Sequence, residues 1–408
     1  MAGASLRFSL PGVAAAISKN GGSAGAEPAK SRVLVLGGTG RVGGSTAVAL
    51  SKLLPDLRIL VGGRNRFAFF SLCWQEKGAA LVSKLGENSE FVEVNIDDAS
   101  ILEAALKDVD LVVHAAGPFQ RKEKCTVLEA AISTKTAYVD VCDDTDYARR
   151  AKGFHKEAIA AGVPAITTAG IYPGVSNVMA AELVRAAKSE NAGEPERLRF
   201  FYYTAGSGGA GPTILATSFL LLGEDVIAYN KGKQIKLKPY SGGLTIDFGK
   251  GVKKKDVYLL NLPEVRSAHE ILAVVNFLPP DILRDKKKVQ KLVELIDPLV
   301  RAIDGIAGQQ VSMRVDLECS KGRNTLSLFT HRNLSISVGF SVAAFALAVL
   351  EGSTQPGVWF PEEPEGIAVE AREVLLDRAA QGTVNFIMNK PPWMVETDPK
   401  EIGLGIYV

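Results

Sequence analysis

Apolar residues in the first half of the chain come in short, nearly unbroken runs separated by stretches with helical spacing. The runs fall at residues 32–36 (RVLVL), 57–61 (LRILV), 91–94, 111–114 (LVVH), 138–141 and 165–168. Between them, residues 100–106 and 126–132 repeat their apolar positions every three to four residues. Short uniformly apolar runs are strands buried on both faces, and strands alternating with helices build a parallel sheet. The pattern predicts an α/β fold, a doubly wound Rossmann-type parallel sheet over residues 32–180.

From Arg197 onward the pattern changes. Residues 198–204, 233–238, 244–248 and 257–260 read as strands. Val311, Met313, Val315 and Leu317 alternate with polar residues, Lys321-Gly322-Arg323 turns the chain, and residues 325–329 return. Period-two alternation across a glycine-containing turn is an antiparallel hairpin. Residues 181–335 therefore form an α+β region with a mixed or antiparallel sheet. The apolar stretches 211–222 and 338–350 are too short to span a bilayer, so no stable membrane span is expected. Periodicity leaves open whether 338–350 packs within the chain or against a second copy, as in a homodimer.

The loop after the first run carries the clearest chemistry. Gly38-Thr39-Gly40-Arg41-Val42-Gly43, preceded by Gly37, matches GxGxxG between a strand and a helix. Such a loop makes a tight turn, admits a pyrophosphate close to the backbone, and presents a helix N-terminus to it. An NAD site places an acid at the end of the second strand to bind the ribose 2′-hydroxyl. This chain has Gly62-Gly63-Arg64-Asn65 there, and Arg64 suits a 2′-phosphate. The expected cofactor is NADP. Asp97 or Asp98 reads either as a contact to the adenine edge or as a helix cap. The small residues Ala115, Ala116, Gly117 and Pro118 follow the fourth strand, where a nicotinamide ribose needs close approach.

Composition narrows the field without naming a substrate. The chain has 408 residues, 47% of them hydrophobic and 23% charged, with a net charge of +2. That is enough to bury a large core and gives no electrostatic case for nucleic acid. The four cysteines and four histidines show no metal-ligand spacing, so no metal site is expected. Residues 1–26 contain no Asp or Glu and are rich in Ala, Gly and Ser. Residues 1–31 therefore read as a transit peptide to the chloroplast or plastid stroma, the alternative being a cytoplasmic protein with a disordered leader. The basic runs at 253–255 and 286–288 read as solvated loops.

Several of these segments together resemble the saccharopine dehydrogenase-like oxidoreductases, closest to a plant plastid branch. They are GGTGRVGG, GGRN, HAAGPF, YVDVCDD and AGIYPGVSN, with a weaker echo from Ser341 through GVWFPEE. The resemblance implies a Rossmann domain, an inserted α+β substrate domain, and a C-terminal segment, residues 336–408, that packs back on the first. It also implies nicotinamide chemistry at a carbon–nitrogen bond of an amino acid or imine. Tyr172-Pro173-Gly174 lacks the acid that saccharopine-forming relatives carry before PG, and Asn177 stands where they have a histidine. A different small-molecule substrate is expected. FAFFSLCW at 67–74 looks inserted, and residues 273–280 look shortened.

Candidates for catalysis are Tyr138 and Asp140, which share one strand face, and Tyr172 after the sixth strand. Asp143 is expected to cap the next helix, and the helix starting near Ser176 and Asn177 is a candidate to hold a substrate carboxylate. His114 reads as a core residue. Cys142, between acids, is a poor thiolate. The competing reading is a nucleotide-binding protein without turnover that senses redox state or joins an assembly.

Overall fold

A computed structural model describes residues 31–63, 71–120, 122–205, 225–230, 233–238, 241–272 and 309–396. The leader, Arg64, Asn65, residues 67–70 of the aromatic stretch, the 286–288 run and residues 273–280 lie outside the described residues.

Strands and helices alternate through the first half: β1 (Arg32–Leu36), α1 (Arg41–Leu53), β2 (Arg58–Gly63), α2 (Ser71–Leu85), β3 (Ser89–Glu93), α3 (Ala99–Leu106) and β4 (Leu111–His114). They continue with α4 (Thr126–Thr134), β5 (Ala137–Asp140), α5 (Thr145–Gly153), α6 (His155–Ala161), β6 (Pro164–Ile166) and α7 (Val175–Ser189). The second half contributes β7 (Pro195–Ala205), β8 (Val226–Asn230), β9 (Lys233–Leu237), β10 (Leu244–Asp247), β11 (Lys254–Val257) and α8 (Pro263–Leu272). After it come β12 (Gln310–Cys319), β13 (Asn324–His331), α9 (Leu334–Leu350), β14 (Gly357–Trp359), α10 (Arg372–Ala379) and β15 (Asn385–Lys390).

The main sheet has seven parallel strands in the order β14-β6-β5-β4-β1-β2-β3. This is the doubly wound order, with its reversal between β1 and β4, extended by one late strand. The pleat divides the core. Val33, Val35, Ile59, Val61, Val113 and Val139 face α1, α7 and α9. Leu34, Leu36, Leu60, Val112 and Tyr138 face the opposite way, with Leu102, Leu128 and Tyr147 of α3, α4 and α5. A four-stranded antiparallel sheet, β15-β13-β12-β7, forms the other large layer. Its central hairpin pairs Val311 with His331 and Glu318 with Asn324, as the alternation predicts.

One element departs from expectation, and two others add detail that the pattern left open. The basic run at 253–255, read as a loop, enters β11, which pairs with β10 through Asp247↔Lys254 and Thr245↔Asp256. Its side chains alternate between exposed and half-buried, so a two-stranded ribbon accommodates the charges. The short apolar run 357–359 is a strand because β6 offers it a free parallel edge. The apolar helix α9 packs within the chain, against α1, α10 and strands β4 to β6, and is buried around nearly its whole circumference.

Candidate functional site

The glycine loop sits at the C-terminal end of β1, at the point where the strand order reverses. Gly37 has a positive φ of 76°, and a Cβ there would lie 2.6 Å from the carbonyl oxygen of Ala115. A Cβ on Gly43 would lie 2.3 Å from the Gly37 oxygen, so α1 begins directly against the loop. Gly38 is buried and bonded through its N–H to Val35 and Gly62, whereas Gly40 and Arg41 are exposed. Thr39 and Val42 are half-buried. No side chain caps α1, and its first turn contains no acid. A helix N-terminus in this state favours an anion, so these residues fit a dinucleotide pyrophosphate.

Other nucleotide-binding candidates lie around this loop. Gly62 and Gly63 end β2 without a carboxylate, immediately before Arg64. Asp98 caps α3, accepting from the N–H groups of Ser100 and Ile101. Asp97 is exposed and pairs with Lys122 at 3.1 Å. Ala115 donates its N–H to the Leu36 carbonyl, which brings the turn Ala115–Pro118 alongside Gly37. Gly117 and Pro118 are exposed and joined by a cis peptide bond. His114 is buried against Phe119 with ring centroids 4.8 Å apart, and burial lowers its pKa to about 3.

Tyr138 and Asp140 do share a face, but it is the inner one. Both are 0% exposed. The Tyr138 hydroxyl donates to Asp140 Oδ2 at 2.9 Å. Asp140 Oδ1 accepts from the N–H groups of Cys142 and Thr168 and from the Thr167 hydroxyl. Burial raises the carboxyl pKa against these bonds, and pushes the Tyr138 phenol well up. With every bond directed inward, this pair shapes the chain after β5 and β6; the expectation that it contacts substrate is corrected. Asp144, not Asp143, caps α5 by accepting from Tyr147 N at 2.6 Å, and Asp143 instead accepts from Gln120 Nε2 at 2.7 Å. Cys142 is buried and its thiol pKa is pushed well up, first by burial and then by Asp140.

The start of α7 is also corrected as an anion site. The N–H groups of Val175, Ser176 and Asn177 already bond to the carbonyls of Gly170, Ile171 and Gly174. The Asn177 side-chain oxygen accepts from Gly174 N. Tyr172, on this loop, stacks on Tyr202 with centroids 4.5 Å apart and hydrogen-bonds Thr204 at 3.0 Å. Burial pushes its phenol up to about 12.

Two residues missed by sequence reasoning lie beside this loop. Asn177 Nδ2 donates to Glu362 Oε1 at 2.8 Å and to Ser267 Oγ at 3.0 Å. Glu264, one turn before Ser267 on α8, and Glu362, just after β14, are both buried. Burial pushes each carboxyl up to about 7, and the Glu362 carboxylate raises that of Glu264 further. The Tyr202 hydroxyl lies next to Glu264 and Ser176, and burial, then the Glu264 carboxylate, holds its phenol well above the ordinary value. A glutamate in the first turn of a helix ordinarily faces water, so Glu264 carried no signal. Glu362 did follow a short apolar run at the C-terminal end of a strand, which is where α/β sheets place function.

Comparison with known proteins agrees with this geometry at the nucleotide end. Residues 33–170 match the family model described as saccharopine dehydrogenase NADP binding domain, and this domain binds NADP. A Mycobacterium tuberculosis protein named as a trans-acting enoyl reductase is 27% identical over 173 residues, 41% of this chain and 39% of that protein. Carboxynorspermidine synthase of Vibrio cholerae is 26% identical over 251 residues, 58% of each chain. The chain thus aligns with about two fifths to three fifths of these relatives' length. Apo saccharopine dehydrogenase (L-Glu forming) from Saccharomyces cerevisiae superposes with a TM-score of 0.62 over 88% of this chain and 99% of that one. At 14% identity, that likeness shows the fold. Residues 33–170 are thus a saccharopine dehydrogenase-type NADP-binding domain, and the chain as a whole shares the fold of saccharopine dehydrogenase.

Proposed function

We propose that the protein is an NADP(H)-dependent oxidoreductase of an amino-acid or imine-type metabolite other than saccharopine. The observation that carries this reading is the uncapped glycine loop at the sheet's reversal point, inside a domain of the NADP-binding type. In this reading the loop and the start of α1 hold the pyrophosphate, and Arg64 with Asn65 takes the 2′-phosphate end. Asp97 lies toward the adenine, and the turn Ala115–Pro118 borders the nicotinamide ribose. The bound nicotinamide supplies or accepts a hydride. Tyr172, protonated at every working pH, acts as a hydrogen-bond donor to substrate.

The longer of the two alignments is with an enzyme named for a nitrogen-bearing product, which favours such a metabolite over an enoyl substrate. Asn177 supports a substrate other than saccharopine, because it is engaged in holding Glu362. The leader's composition supports a plastid address.

Titrating the protein with NADPH and NADH should give at least tenfold tighter NADPH binding, most of it lost in Arg64→Ala. Equal affinities would sink the cofactor preference. NADPH oxidation should then appear with some member of a panel of amines paired with keto acids. Firm NADPH binding with silence across that panel would favour the non-catalytic nucleotide binder.

A further inference from the structure

Lys122 lies in the segment that leaves β4, yet its Nζ pairs with Asp97 Oδ1, after β3, at 3.1 Å. In the parallel sheet β1 and β2 stand between β4 and β3, so the ends of those two strands are about 14 Å apart. The segment after β4 therefore runs back past the ends of β1 and β2. The Thr126 hydroxyl fastens it there by donating to the Ile96 carbonyl at 3.0 Å. Phe119, Cys125 and Leu128 place this segment in the core cluster of α3 and α4, whereas the glycine loop leads into α1, in the other cluster. The two segments are opposite walls of the crevice that opens where the strand order reverses, between β1 and β4. Lys122 also reaches the end of β4: after burial, its charge is what lowers the pKa of His114.

The backbone of Lys122 is fixed and its side chain is not. Its N–H donates to the Phe119 carbonyl at 3.0 Å, and its own carbonyl accepts from Arg150. The side chains of Lys122 and Asp97 are 40% and 61% exposed. An ion pair this open to water contributes little to stability and gives way readily to a stronger anion. We propose that Lys122 is a positioning residue for the dinucleotide, its ammonium leaving Asp97 for the pyrophosphate and clamping it from the wall that faces the glycine loop. The inference rests on the oxidoreductase reading and adds a cation to its nucleotide site. A lysine suits this role, being a compact point charge on a flexible four-carbon stem that turns while the backbone stays in place. The exchange moves no proton, and it releases the Asp97 carboxylate toward the adenine end of the crevice.

The test measures binding of NADPH, NADH and adenosine 2′-monophosphate to the full chain and to its Lys122→Gln and Lys122→Arg variants. NADPH and NADH share the pyrophosphate, so Lys122→Gln should weaken both by the same factor, about tenfold. Lys122→Arg should restore most of that loss. Adenosine 2′-monophosphate has no pyrophosphate and should bind wild type and Lys122→Gln equally. Arg64→Ala should give the opposite signature, with NADPH falling far more than NADH. Added salt should weaken NADPH binding less in Lys122→Gln than in wild type, because one ionic contact is already gone. The melting temperature of the free variant should stay within about one degree of wild type. A loss confined to NADPH and adenosine 2′-monophosphate would assign Lys122 to the 2′-phosphate and overturn the clamp. Unchanged affinities, or a loss accompanied by a lowered melting temperature in both variants, would overturn it as well. A wild-type chain that binds neither NADPH nor NADH would instead overturn the oxidoreductase reading.

Discussion

Asp140 accepts four hydrogen bonds inside the protein, from Tyr138, Thr167 and the N–H groups of Cys142 and Thr168. Thr168 sits at φ 63°, a left-handed position unusual for a β-branched residue, and the bond to Asp140 holds it there. Truncating the carboxylate strands four buried donors. Asp140→Ala should therefore lose about 3–5 kcal/mol of stability in urea unfolding, and a loss below about 1 kcal/mol would show that water satisfies the donors. The pairing of Tyr138 with Asp140 was legible, since residues two apart on a strand share a face. Which face it was could not be read, because it depends on α5 and the later β6 loop closing over them. The same limit hid Glu264 and Glu362. Only the fold brings them together: Asn177 reaches Glu362 across 185 positions of chain, and Ser267, one turn from Glu264, across 90.

Helix starts and helix packing decide what each element contributes. Two helices begin at strand ends near the site, and the chain treats them oppositely. The start of α1 is left without a side-chain cap, whereas the start of α7 is closed by carbonyls of its own loop. The glycine spacing announced the first, but nothing in AGIYPGVSN announced the second, because carbonyl direction depends on backbone dihedrals in that loop. Helix α9 presses on α1 from the far side. A Cβ on Gly339 would lie 2.6 Å from the Ser45 carbonyl carbon, and backbone cannot swing aside as a side chain can. Gly339→Ala should destabilise by about 1–3 kcal/mol. Because α1 carries the nucleotide loop, NADPH affinity should fall as well. Unchanged stability together with unchanged NADPH affinity would mean that α9 and α1 separate without cost.

The two large sheets are served by one core. Val33, Val61 and Val139 of the parallel sheet belong to the same buried cluster as Val311, Val315 and Phe329 of the antiparallel sheet, joined through Val178, Leu183 and the rest of α7. The C-terminal stretch reinforces this by giving β14 to one sheet and β15 to the other. The change in apolar pattern after Arg197 revealed two kinds of sheet, but a shared core cannot be read from periodicity, which describes each element separately. A boundary drawn where the pattern changes would predict two independent melting steps. A continuous core instead couples the sheets, because neither can lose its inner face without exposing the other's. Thermal unfolding should be one transition, coincident by far-UV circular dichroism and tryptophan fluorescence. NADPH at a hundred times its Kd adds about 2.7 kcal/mol to the folded state. Bound at the proposed site at the β1 end, it should raise the whole transition by a few degrees. Two transitions, with only the earlier or the later one moved by NADPH, would show that the antiparallel sheet folds on its own account.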